Sequence, residues 1–142
     1  MTAGDLLEVL RIEATTETPW SAELLASELQ RGSGWQYVFQ EGERRGILGF
    51  IIGTLVLDEA EILKIAVAPE YRRQKIASQL LQKALAFLKT QKAAHCFLEL
   101  RRSNQAAFNL YQKHGFEVIA TRRDYYKDPT EDALIMKKNL NA

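Results

Sequence analysis

The order of hydrophobic and polar residues changes period several times along the chain. Over residues 3–14, Leu6, Leu7, Leu10 and Ile12 predict the apolar side of a helix. Ser21 is placed to cap a second helix running to about Gln30, and Gly32-Ser33-Gly34 ends it. From Trp35 the period drops to two. Trp35, Tyr37 and Phe39 alternate with Gln36, Val38 and Gln40, the pattern of a half-buried strand. Glu41-Gly42-Glu43 is turn material, and Ile47 to Leu57 is a long apolar, β-branched run that predicts a central strand. Asp58-Glu59 turns into a further strand over Glu61–Ala68.

Helical spacing returns from about Arg73 to Lys89, where Ile76, Leu80, Leu81, Ala84, Leu85 and Leu88 form one stripe. A strand follows from His95 to Arg101. Asn104 opens a short helix that stops near His114-Gly115, where Gly115 suits the position just past a helix end. Phe116 to about Tyr125 and Ala133 to Lys137 read as two closing strands. The order α-α-β-β-β-α-β-α-β-β, with short connections, predicts a mixed α/β (α+β) sheet covered by helices, because β-α-β units need right-handed crossovers. The three prolines, Pro19, Pro69 and Pro129, all sit at predicted boundaries.

Length and composition narrow the class only slightly. A chain of 142 residues suits one domain over residues 1–142 and can bury roughly 70% of its unfolded surface. A net charge of +1 gives no global argument for nucleic acid or a membrane. No apolar run approaches the ~20 residues of a membrane span, and no signal-peptide pattern opens the chain. The single cysteine, Cys96, excludes an intrachain disulfide and fits a reducing compartment. A cytoplasmic protein is expected.

The richest segment is Ile62 to Leu81, where an apolar strand reaches Pro69, passes through the basic turn Tyr71-Arg72-Arg73-Gln74-Lys75, and opens the amphipathic helix. Helix N-termini carry unpaired N–H groups and a favourable dipole, so this turn is suited to an anion. It has neither the P-loop spacing nor Gly-x-Gly-x-x-Gly. His95 and His114 lack metal-ligand spacing, so no metal is expected. Cys96 reads as a small buried residue in a strand. Glu99 reads either as a strand carboxylate paired with Arg101 or as a catalytic base. Tyr111 reads as a packed aromatic or an acid, and Asn104 as a helix cap.

Together these residues form a recognisable arrangement. Arg72-Arg73-Gln74-Lys75-Ile76-Ala77 resembles the Arg/Gln-x-x-Gly-x-Gly/Ala signature of the GNAT superfamily of acyl-CoA-dependent N-acetyltransferases. Ile65-Ala66-Val67 resembles that superfamily's coenzyme-contacting strand. Leu98-Glu99-Leu100-Arg101, Ser103-Asn104, Leu110-Tyr111 and Gly115-Phe116 resemble the RimI-type branch, the ribosomal-protein-alanine N-acetyltransferases. So do Pro19-Trp20-Ser21, Arg122-Arg123-Asp124-Tyr125-Tyr126 and Glu131-Asp132-Ala133, and the resemblance spans nearly the whole chain. It implies a mostly antiparallel central sheet flanked by helices, here with a first edge strand that is short or absent. Lys75 departs from the signature, standing where the family has its first glycine. If that position needs φ > 0, a side chain there costs roughly 1–2 kcal/mol. Lys75 would either crowd the pyrophosphate or pair with a phosphate.

The resemblance also implies roles. The backbone of Ile65, Ala66 and Val67 would lie along the thioester and pantetheine arm of acetyl-CoA, with an N–H stabilising the developing oxyanion. Arg72, Arg73, Gln74, Lys75, Ile76, Ala77 and Ser78 would cradle the pyrophosphate, and Asn104 would bond the arm. Glu99 would be general base and Tyr111 general acid, with the amine attacking the thioester directly. Tyrosine, at about 10, is a weaker acid than a thiol at about 8.5, so transfer to thiolate is uphill by about 2 kcal/mol and a hydrogen bond to sulfur is the main contribution. An α-amine titrates at about 7.7–8.0 and a lysine at about 10.4, a difference of about 3.5 kcal/mol in reaching the neutral nucleophile. A carboxylate base therefore serves a protein N-terminus more easily, and the implied acceptor is the N-terminal alanine of a ribosomal protein. Lysine or small-amine acetylation and a non-catalytic acyl-CoA-binding module are the alternatives. The basic residues Arg101, Arg102, Arg122, Arg123 and Lys127 read as solvated strand ends or as contacts to ribosomal protein or RNA, with no direct nucleic-acid binding required. Asp58, Glu59 and Glu61 are candidates for attracting a basic peptide.

Overall fold

A computed structural model describes residues 3–16, 20–30, 32–40, 46–72, 75–127 and 129–141. Helices α1 (Ala3–Glu13) and α2 (Ala22–Leu29) precede strands β1 (Gly34–Gln40), β2 (Ile47–Val56) and β3 (Glu59–Val67). A short 3-10 turn, Pro69–Tyr71, leads toward α3 (Ile76–Thr90). Then come β4 (His95–Arg101), α4 (Gln105–Lys113), β5 (Glu117–Tyr126) and β6 (Glu131–Asn139). The element order matches the sequence pattern.

The six strands form one sheet in the order β1-β2-β3-β4-β6-β5. Only β3 and β4 run parallel, and every other neighbouring pair is antiparallel. Two crossovers, β3-α3-β4 and β4-α4-β5, advance along the sheet in one direction. Because such crossovers are right-handed, they place α3 and α4 on the same face. The stripe anticipated on α3, Ile76, Leu80, Leu81, Ala84, Leu85 and Leu88, is the buried side of that helix. It packs with Ile51, Ile62, Cys96, Leu98, Tyr111 and Phe116 into the main core. Gly49 sets the docking distance: a Cβ there would lie 3.0 Å from the Ala66 carbonyl and 3.3 Å from Ile76 and Leu80.

The opposite face carries α1 and α2 over a second cluster containing Val9, Ile12, Leu25, Phe50, Ile52 and Ala66. The central strand β2 is thus covered on both sides, whereas β5 is exposed along nearly its whole length. Val38, expected to face solvent, packs against this second cluster. The apolar side of α1 also differs from expectation. Leu7 is 74% exposed, whereas Val9, Ile12 and the charged Glu13 are buried. A helix with apolar residues on several sides lets packing choose the inner one, and here it follows Val9, Ile12 and Glu13 at near i, i+3, i+4 spacing. The side chain of Leu6 lies outside the described residues. Ser21 caps α2 as anticipated, accepting from the Leu24 N–H at 3.1 Å. No described helix is long and apolar enough to cross a membrane.

Candidate active site

The site begins with a parting of two strands. β3 and β4 pair only from Glu59↔His95 to Ile62↔Leu98. Beyond that, β3 stays on β2 as far as Val67, and β4 stays on β6 as far as Arg101. The sheet therefore opens into a slot between them. A β-bulge starts it: the register with β2 shifts between Ile52↔Lys64 and Gly53↔Ile62, leaving Leu63 as the extra residue. Bulges bend and twist the strand that carries them.

The bulge also reverses which residues face which core. Ala60 and Ile62 face the α3 side before it, and Ile65 and Val67 do so after it. Backbone direction follows. The Ala68 N–H donates to Leu48 on β2 at 2.8 Å, so by alternation the polar groups of Ile65 and Val67 point away from β2 and into the slot. The Val67 carbonyl accepts from Arg72 Nε at 3.1 Å. Main-chain groups of Ile65 and Val67 thus line one wall of the slot, whereas those of Ala66 face β2.

The turn at the mouth of the slot leads into α3. Lys75 is the residue before the helix, and it lies in the left-handed region at φ 63°, ψ 18°. The position does adopt φ > 0, and this chain fills it with a lysine. Lys75 makes no side-chain cap, so among the described residues the first-turn N–H groups of Ile76, Ala77 and Ser78 stand ready for an external acceptor. Arg72 braces the turn, donating to the Val67 carbonyl and, at 3.3 Å, to Thr15 Oγ1. Its guanidinium is directed to the protein's own groups. Ser78 Oγ lies 2.8 Å from His114 Nε2 and joins the start of α3 to the end of α4. Arg73 and Gln74 fall outside the described residues, and the anticipated helix start at Arg73 shifts to Ile76.

Across the slot, β4 alternates strictly. Cys96, Leu98 and Leu100 face the α3 core, and Glu99 and Arg101 face the other side of the sheet. Glu99 is not paired with Arg101 as its simplest reading held. It meets Arg122 on β5 at 3.9 Å and accepts from the Tyr126 hydroxyl at 3.5 Å, with 28% of its side chain exposed. Burial, then the Glu99 charge, pushes Tyr126 up to about 12, so its hydroxyl stays a donor. Arg101 instead reaches Glu131 at 3.6 Å and stacks 4.3 Å from the Tyr126 ring centroid. It is not a solvated strand end. Strand pairing alone brings these groups together from β4, β5 and β6, and nothing in local spacing marked Tyr126 or Arg122 as neighbours of Glu99.

Tyr111 lies on the other side of the sheet. It is 5% exposed and packs edge-on to Phe116 at 5.5 Å between centroids. Burial drives its pKa well above the usual tyrosine value, with the nearby Cys96 adding to the rise. A tyrosine so buried holds its proton more tightly still, which favours hydrogen-bond donation over full transfer. Cys96 is fully buried, its thiol pushed up to about 12 by burial, and is no nucleophile. Asn104 caps α4, its Oδ1 accepting from the Ala107 N–H at 3.2 Å. The carboxylate and the phenol therefore lie on opposite faces of the sheet. Of the acidic residues at the start of β3, Glu61 pairs with Phe97, two residues before Glu99, and Glu59 pairs with His95. Among the described residues no three His, Cys, Asp or Glu side chains form a group that could hold a metal ion.

Comparison with known proteins gives this arrangement its family. Residues 5–116 match the model of the acetyltransferase (GNAT) family. The chain is 40% identical over 121 residues, 83% of its length and 79% of the relative's, to the [ribosomal protein bS18]-alanine N-acetyltransferase of Escherichia coli. The crystal structure of that organism's ribosomal-protein-S18-alanine N-acetyltransferase superposes with a TM-score of 0.89 at 36% identity, covering 99% of this chain and 90% of the other. Ard1 from Thermoplasma volcanium superposes with a TM-score of 0.86 at 27% identity, covering 98% and 93%. A sheet parted between two parallel strands, an uncapped helix at its mouth and this match over most of the length have one reading: the chain belongs to the GNAT family of acetyltransferases, enzymes whose co-substrate is acetyl-CoA.

Proposed function

We propose that this enzyme transfers the acetyl group of acetyl-CoA to the N-terminal alanine of ribosomal protein bS18, the acceptor carried in the names of its relatives. It acts in the cytoplasm, where ribosomal proteins are made, and residues 1–142 serve as a single acetyltransferase domain. The observation that carries the reading is the slot, with main-chain groups of Ile65 and Val67 on one wall and Glu99 and Tyr111 on opposite faces.

In this reading the pyrophosphate of acetyl-CoA rests on the first-turn N–H groups of Ile76, Ala77 and Ser78, with Lys75, Arg73 and Gln74 around it and Arg72 bracing the turn. The acyl arm runs along Ile65–Val67, and Asn104, besides capping α4, offers its amide donor to that arm. The amine comes from the Glu99 face. Glu99 takes the proton as nitrogen bonds to the acyl carbon and the carbon–sulfur bond breaks. Tyr111 donates a hydrogen bond to the departing sulfur. Arg122 and Tyr126 hold the Glu99 carboxylate in place.

The test is acetyl transfer to a peptide bearing the bS18 N-terminus, beside the same peptide with a blocked N-terminus and an internal lysine. Transfer to the free N-terminus alone is expected; equal rates on both peptides would overturn the assignment. Glu99→Gln is expected to lower kcat by about 10²–10⁴-fold. Recovery at high pH and an acetyl-CoA affinity near wild type should accompany it.

A further inference from the structure

A second ionic group stands beside the slot, and the transfer chemistry makes no use of it. Glu13, the last residue of α1, is 0% exposed. Its Oε2 accepts from the Trp20 N–H at 2.5 Å and meets Lys64 Nζ at 3.2 Å. Its Oε1 is buried with no hydrogen-bond partner among the described residues. Lys64 sits 6.0 Å from the centroid of the Trp20 ring. Three segments thus meet at one carboxylate: the end of α1, the entrance to α2 and the bulged part of β3.

The position of Lys64 gives the group its meaning. It is the first residue after the bulge, where β3 leaves β4, and it precedes Ile65. The bulge turns it to the α1–α2 side, the side that Glu99 faces across the slot. A buried pair with one oxygen unsatisfied is a poor way to gain stability, since apolar side chains of like volume do as well or better. What an ion pair with two partners does supply is a fixed geometry.

Resting on the acetyltransferase reading above, we propose that Glu13 and Lys64 are positioning residues for the acceptor. They pin Trp20 and the start of α2 against β3, so that the acceptor chain meets a preset wall on the Glu99 side of the slot. Acetyl-CoA, held from the α3 side, is insensitive to them.

The test uses the full chain, acetyl-CoA and the bS18 N-terminal peptide. Glu13→Gln and Lys64→Met should each raise the peptide KM about tenfold, with the acetyl-CoA Kd by calorimetry within twofold of wild type. Lys64→Arg should restore the peptide KM. An unchanged peptide KM in both variants would overturn the proposal, as would a matching loss in acetyl-CoA affinity. An effect of Lys64→Met without one of Glu13→Gln would also overturn it, because Lys64 would then act by its own charge. If Glu13→Gln does not fold, the Lys64 pair of variants decides by the same readings. Wild-type enzyme that binds acetyl-CoA but leaves this peptide unmodified would refute the acceptor assignment instead. The positioning role would then be read on whichever amine the wild type does acetylate.

Discussion

At the scale of single residues, Lys75 is the clearest departure from the family pattern. Its backbone is left-handed at φ 63°, which an L side chain adopts at a cost of roughly 1–2 kcal/mol. Lys75→Gly is therefore expected to raise stability by about 0.5–1 kcal/mol after the extra unfolded-state freedom of glycine is set against the relief. The urea midpoint would show it, and a fall in stability would refute the strain argument. The same variant should bind acetyl-CoA more weakly at low salt, with the difference shrinking at high salt, if the ammonium serves the phosphates. The sequence showed the missing glycine, but only the backbone showed that its conformation had been kept. Glu99 and Tyr111 were legible as candidates by resemblance. Their environments were not: Arg122 and Tyr126 reach Glu99 from β5, 23 and 27 residues away in sequence.

At the scale of elements, α3 was readable almost residue by residue, because one continuous apolar stripe has one way to bury itself. Helix α1 was less so, since Leu7 and Val9 compete for the inner face and α1 alone does not decide. The link between α3 and α4 was invisible in the sequence, yet it has a consequence for stability. Burial lowers the pKa of His114, and Lys113 and Lys138 lower it further. The native state then holds His114 neutral against Ser78. Between the lowered native pKa and the ordinary value of about 6.5 the unfolded chain binds more protons, so stability is lost as pH falls through that window and is fully present above it. Thermal melts from pH 7.5 down to 5 should show this decline, and His114→Gln should flatten its share. A variant melting curve that tracks wild type at every pH would argue against it.

At the scale of the whole molecule, function depends on a failure of pairing. β3 and β4 are neighbours for four residue pairs and then part. Acetyl-CoA filling the slot should slow amide exchange at Ile65 and Val67, whose N–H groups face it. Ala66, which faces β2, should change little. Site-resolved hydrogen exchange with and without acetyl-CoA would check this, and equal protection of all three would place the arm elsewhere. The element order, the sheet-and-helix class, the buried stripe of α3 and the strand-turn-helix proposed for the pyrophosphate were all legible in the sequence. Those are local properties, set by periodicity, caps and turn residues within a few positions of each other. Tertiary packing set where β3 bends at Leu63, which way Ile65 and Val67 present their backbone, and that Glu99 and Tyr111 lie on opposite faces of the sheet. It also decided that Glu13 is buried against Lys64. Each of these depends on register between strands distant in sequence, and a one-residue bulge reverses every side chain beyond it.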